Sequence, residues 1–167
     1  MMEIEEHFRA IMELLGLDLT DPSLAKTPAR IAKMYSQEIF TGLNASFPKI
    51  ATIASTSSQQ ITIRDISFVS FCAHHFLPMF GKATISYTPN GKILGLSTFH
   101  QIVHHFAKRP QLQERLTDEI AHALGRILET EMTVKITAEH GCVRARGVED
   151  QNSYMETTTI SALSANG

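Results

Sequence analysis

At Ile61 the spacing of apolar residues changes, and that change confines the chain to helices first and a sheet after. Upstream, Ile4, Phe8, Ile11, Leu14 and Leu15 recur at three- and four-residue intervals, which predicts an amphipathic helix over Glu3 to Leu17, ended near Gly16. A second helix is expected with Thr27 as its cap and Pro28 at its first position. Ile31, Met34, Tyr35 and Ile39 would form its buried stripe and Gly42 its stop, with Arg30 and Lys33 on another face. Ala51 to Gln60, rich in Ser and Thr, reads as a loop or edge segment. From Ile61 the period is two. Ile61 and Ile63, then Ile66 and Phe68, alternate with polar residues, and the phase slips near Asp65, which predicts a bulge.

Phe80 to Thr88 reads as a second strand, and Pro89-Asn90-Gly91-Lys92 as a turn into a third, Ile93 to Leu96. Ser97 looks like the cap of a helix carrying Phe99, Ile102, Val103 and Phe106, which Arg109-Pro110 breaks. A further helix carries Leu112, Leu116, Ile120, Leu124 and Ile127. Strands are expected at Thr133 to Glu139 and from about Cys142 to Val148. This order predicts an α+β fold: an antiparallel four-stranded sheet with two helices on one face, preceded by N-terminal helices. It divides into an N-terminal helical segment, 1–50, and a second domain, 51–167. Open sheet edges invite pairing between subunits, so a homo-oligomer is expected.

Composition excludes several classes. Hydrophobic residues at 43% of 167 can fill one core without staples. A formal charge of −2 argues against a general nucleic-acid partner. No apolar run reaches the ~18 residues of a membrane span. The start, Met1-Met2-Glu3-Ile4-Glu5-Glu6, is acidic and unlike a secretory signal, so a cytoplasmic protein is expected. In that reducing setting two cysteines far apart in sequence favour metal binding or catalysis over a disulfide.

Those cysteines have histidines beside them: Cys72-Ala73-His74-His75 follows a strand end, and His140-Gly141-Cys142 lies between later strands. Thiolate and imidazole are preferred zinc ligands, and Cys72 with His75 can reach one ion from a tight turn. Cys142 would make a third ligand, leaving the open position typical of a catalytic site. The spacing is a loose pattern, and a lone cysteine is often a small buried hydrophobe.

Several segments resemble the GTP cyclohydrolase I family, in the family's order and spacing. They are Thr27-Pro-Ala-Arg-Ile-Ala-Lys-Met-Tyr35, Cys72-Ala-His-His75, Gly95-Leu-Ser97, Arg109-Pro-Gln-Leu-Gln-Glu-Arg-Leu-Thr117 and His140-Gly-Cys-Val-Arg-Ala-Arg-Gly147. The resemblance runs from about Leu14 to Thr159. It implies a tunnelling fold, in which sheets join between subunits into a barrel, with two stacked rings forming a decamer and active sites at subunit interfaces. It implies conversion of GTP to 7,8-dihydroneopterin triphosphate with release of formate. By position, Cys72, His75 and Cys142 resemble the zinc ligands, and His74 and His140 the proton-transferring histidines. Gln113 and Glu114 match guanine recognition, Leu96 a substrate-binding position, Ser97 the catalytic contact to the opened intermediate, and Arg30, Lys33 and Arg146 the triphosphate site.

The chain also departs from that family. Thr98 and Gln101 stand where a lysine and an arginine normally meet the triphosphate, and Ala73 where glutamate is usual. Gly167 ends the sequence where family members usually continue into another helix. Losing two charged hydrogen bonds would weaken phosphate binding by roughly two to four decades, which Lys108 or Arg109 could partly offset. The alternatives are a paralogue with the same zinc chemistry on a different or less phosphorylated guanine compound, and a non-catalytic zinc-stabilised assembly subunit. A nitrile reductase of the same fold would have no reason to converge Cys72, His75 and Cys142 on zinc.

Overall fold

The computed structural model describes residues 2–161. The first helix, α1 (Met2–Leu14), ends where Gly16 adopts a positive φ of 77°. Helix α2 (Thr27–Met34) continues through a π-turn, Tyr35–Ile39, into a short 3₁₀ turn, Thr41–Leu43. Thr27 is not the cap: Lys26 is, because the chain is already coiling, with Thr27 N–H donating to Leu24 O at 2.8 Å. Gly42 marks a close approach as well as a stop. A Cβ there would lie 2.7 Å from the carbonyl oxygens of His105 and Lys108.

The sheet has β2 (Ile61–Cys72), β3 (Pro78–Tyr87), β6 (Met132–His140) and β7 (Met155–Ser161) as its long strands, antiparallel throughout. The slip in β2 is a bulge between Ile63 and Ile66, with Asp65 at φ 56°. It moves the core-facing parity from Ile63 to Ile66, Phe68 and Ser70. A fifth strand, the two-residue β5 (Pro110–Gln111), joins the β2 edge in parallel and was not legible as a strand.

Two expected strands are corrected. Ile93 to Leu96 is not a hairpin partner of β3. Only Lys92–Ile93 (β4) is extended, and it pairs with β1 (Ile53–Ala54), because β2 and β6 occupy both edges of β3. Cys142 to Val148 is not a strand either. Met79 pairs with His140, so the next residue would oppose Pro78, which has no N–H to donate, and the chain curls into α5 (Gly141–Arg144). The final strand comes later, as β7.

Helices α3 (Leu96–Ala107) and α4 (Gln113–Leu128) cover one face of the sheet, as the sequence predicts. Ser97 lies inside the first turn of α3, and Gly95 is the cap, its carbonyl accepting from Thr98 N–H at 3.0 Å. Phe99, Ile102 and Val103 of α3 and Leu116, Ile120, Leu124 and Leu128 of α4 meet Ile66, Met79, Ile85, Val134 and Ile136 in the core. Burying such a side chain contributes about 1.5–3 kcal/mol, so this layer dominates the fold's stability. Among the described residues, no helix is long and apolar enough to cross a membrane.

Candidate metal centre and active site

One end of the sheet gathers the chemistry. Cys72 closes β2, and a tight turn returns the chain to β3, with Cys72 N–H donating to Leu77 O and Phe76 N–H to Cys72 O, both at 2.9 Å. The β3–β6 register then sets His140 beside Met79, and Gly141 packs so closely that a Cβ would fall 2.7 Å from Pro78 O. The first turn of α5 therefore delivers Cys142 to the Cys72–His75 turn. Ligand atoms of Cys72, His75 and Cys142 all lie within 4.8 Å of one another, and Cys72 Sγ is 3.8 Å from His75 Nδ1. Tetrahedral zinc with ordinary S and N bond lengths spaces its ligands by roughly 3.5–3.8 Å, so this donor set fits such an ion after a small contraction.

Electrostatics point the same way. Burial and the neighbouring Cys72 thiol push the Cys142 thiol's pKa up, against a smaller downward pull from Arg146. A divalent cation removes that penalty by favouring thiolate. Arg146 Nη1 donates to His75 Nε2 at 3.0 Å, putting a phosphate-binding candidate directly at the metal turn.

The proton-transfer candidates sit on either side. His74 is exposed, its ring 6.2 Å from that of His75. His140 is half-buried, and its Nε2 lies 2.8 Å from Gln113 Oε1. Burial pulls its pKa down, and the charge of Glu114 opposes that. Glu114 is exposed in the first turn of α4, whereas Gln113 beside it is 1% exposed. The short β5 strand holds this helix start in place: Cys72 pairs with Gln111, and Ala73 N–H donates to Gln111 O at 2.9 Å.

The other candidates stand elsewhere in the single chain. Ser70 Oγ donates to Ala107 O at 2.7 Å, fixing the C-terminal end of α3 near the metal end of β2, while Phe99 packs on Tyr87 at the far end of β3. Ser97 and Leu96 are thus about 15 Å of helix away from the metal end. Among the described residues, neither they nor Arg30 and Lys33 hydrogen-bond to the metal cluster. Sequence reading missed what seats α2 there. Phe40 packs on Phe71 and Phe76 at 5.4 Å each, and Tyr35 on Phe76 at 6.3 Å. Phe76, directly after the metal turn, was the available signal.

The family model for GTP cyclohydrolase I matches residues 4–166. The chain belongs to the GTP cyclohydrolase I family. That match extends beyond the Leu14 to Thr159 span of the motifs. GTP cyclohydrolase 1 of Aeromonas salmonicida is 52% identical over 165 residues, covering 96% of this chain and 76% of the relative. The enzymes of the same name from Tolumonas auensis and Vibrio cholerae are 50% and 48% identical over the same shares. Among solved structures, the apo archaeosine synthase QueF-Like aligns with a TM-score of 0.50 at 17% identity, over 64% of this chain and 95% of that one. That likeness concerns the fold alone. Membership of the GTP cyclohydrolase I family makes this chain a hydrolase, and it gives the clustered Cys72, His75 and Cys142 a chemical context that spacing alone did not supply.

Proposed function

We propose that the chain opens the guanine imidazole ring of GTP at a zinc site, releasing formate and giving 7,8-dihydroneopterin triphosphate. The observation that carries this is the convergence of Cys72, His75 and Cys142 beside His140 and Glu114, in a chain half identical to enzymes named GTP cyclohydrolase 1. Two thiolates and an imidazole suit zinc and leave a fourth position open. Zinc bound there supplies Lewis acidity, which can bring a water's pKa down to about 7.

The chain's own groups divide the remaining work. His140 delivers a proton to purine nitrogen 7, making carbon 8 a better electrophile, and His74 moves protons during ring opening and formamide hydrolysis. Glu114 accepts from guanine N1–H and the amino group, a pair of donors that adenine lacks. Arg30, Lys33 and Arg146 hold phosphate. If Nδ1 of His75 held the zinc, its ring proton would sit on Nε2 facing the Arg146 donor, which would free Arg146 for an anion.

The working unit is a homo-oligomer, with sheets joined between subunits into a barrel of stacked rings. Supporting this, Ser97 and Leu96 stand far from the metal end of their own chain, so a second copy must supply them. The uncovered face of the sheet also carries a groove of about 780 Å³, with Val69, Phe80 and Tyr154 exposed along it. One observation favours a second reading. Thr98 and Gln101, on the accessible start of α3, carry no charge for a triphosphate, which fits a less phosphorylated guanine compound.

The test is formate release from GTP, GDP, GMP and guanosine by protein purified without chelator, with metal content measured alongside. The expected result is about one zinc per chain and highest kcat/KM for GTP. Zinc-free protein that turns GTP over normally would overturn the zinc assignment. Preference for GDP or GMP would select the second reading, and formate from none of them a non-catalytic role.

A further inference from the structure

Gln113 is a polar residue with 1% exposure, and every polar atom of its side chain has a partner. Its amide nitrogen lies 3.1 Å from Ile136 O, 3.0 Å from Met155 O and 3.2 Å from Thr157 Oγ1, so its two hydrogens serve three acceptors and one is shared. Two of those partners are carbonyl oxygens, which only accept, so the NH₂ group must face them and the flipped amide is excluded. The hydroxyls reinforce this orientation. Thr117 Oγ1 donates to Gln113 O at 2.8 Å, so its contact with Thr157 Oγ1 at 2.7 Å must be one it accepts. Thr157 therefore accepts from Gln113 and donates to Thr117. The result is a closed loop of directed hydrogen bonds around one side chain.

With the amide so fixed, its oxygen is the atom 2.8 Å from His140 Nε2. An amide oxygen cannot donate, so Nε2 must carry a hydrogen. In the neutral ring the other nitrogen is then bare. We infer that Gln113 is a positioning residue: it holds His140 as the Nε2–H tautomer and leaves Nδ1 as the ring atom that exchanges protons with substrate. This rests on the reading of His140 as a proton-transferring group. It gives the Gln113 side chain a role beyond the guanine recognition that resemblance implies for this residue.

Solid-state ¹⁵N NMR on histidine-labelled, zinc-loaded protein, at a pH where the ring is neutral, reads the tautomer directly. The His140 signals are identified by their loss in His140→Asn. We expect Nε2 protonated and Nδ1 bare in the wild type. Gln113→Met, close in shape but without hydrogen bonds, should show both tautomers. With GTP, its kcat should fall about ten- to a hundredfold, less than the ~10²–10⁴ that a general acid–base group itself contributes because His140 is still present, while KM stays within about threefold. A wild-type His140 bearing its hydrogen on Nδ1 overturns the inference. So does Gln113→Met with an unchanged kcat and a KM raised more than about tenfold, the behaviour of a lost substrate contact. Reading the wild-type tautomer needs neither turnover nor a folded Gln113 variant, so protein that releases no formate still tests the hydrogen on Nε2 that the Gln113 contact requires.

Discussion

A carboxylate in the first turn of a helix is favourable in any protein, because it faces unpaired backbone amides, and Glu114 occupies that place in α4. Its neighbour sets it apart: the same carboxylate stabilises charge on His140 against the burial that disfavours it. If Glu114 binds guanine, Glu114→Gln removes an acceptor and presents a donor to a donor. Guanine-nucleotide affinity, titrated on zinc-loaded protein, should then fall about ten- to a hundredfold, the worth of a charged hydrogen bond. Unchanged affinity would return Glu114 to a helix-end role. Gly141 matters at the same scale for a steric reason, since any side chain there must displace the Pro78 carbonyl and, with it, Cys142.

Helix α3 shows burial overriding a general preference. A histidine in a last turn is ordinarily helped to charge by the helix dipole, and His105 sits in that turn. Instead its pKa is lowered, first by burial and then by Arg109, with Glu119 opposing. The ring packs edge-on against Phe47 at 5.2 Å, tying the N-terminal segment to α3, and Gly42 N–H donates to Lys108 O at 2.8 Å in the same junction. Because the folded pKa lies below the unfolded one, the stabilisation is fully present above about 6.5 and is lost as pH falls through the lower folded value. Melting temperature should therefore drop between pH 7 and pH 5, and His105→Gln should flatten part of that drop. A variant whose melting curve keeps the wild-type pH dependence would remove His105 from this account.

For the whole molecule, the separation of Ser97 from the metal end predicts complementation. Cys142→Ser should abolish metal binding and Ser97→Ala should disable the other part of the site, each leaving an assembled but poorly active protein. If a site takes its metal from one chain and its serine from another, co-assembling the two variants rebuilds about a quarter of the sites when mixing is random. Formate release by refolded mixtures checks this. Mixtures no more active than the better parent would show that one chain holds its site alone.

Local sequence determined much of this protein. Hydrophobic period placed the helix faces of α3 and α4, the strands β2, β3 and β6, and the bulge at Asp65, because these depend on neighbours a few residues apart. It located α1 but not its buried face, since Ile11, Leu14 and Leu15 are exposed and Met12 is buried. The residue types that cluster, Cys72, His75 and Cys142, were legible for the same reason: their chemistry is intrinsic. Tertiary structure decided the rest. Whether the chain after His140 continues as a strand depended on Pro78, a residue on another strand. Whether Lys92–Ile93 paired with β3 depended on which edges of β3 were already taken. Gln113, matched to guanine recognition by resemblance, is buried because the strands β6 and β7 close over it. Pairing register and burial are properties of elements meeting across the sheet, and a one-dimensional pattern of polarity does not contain them.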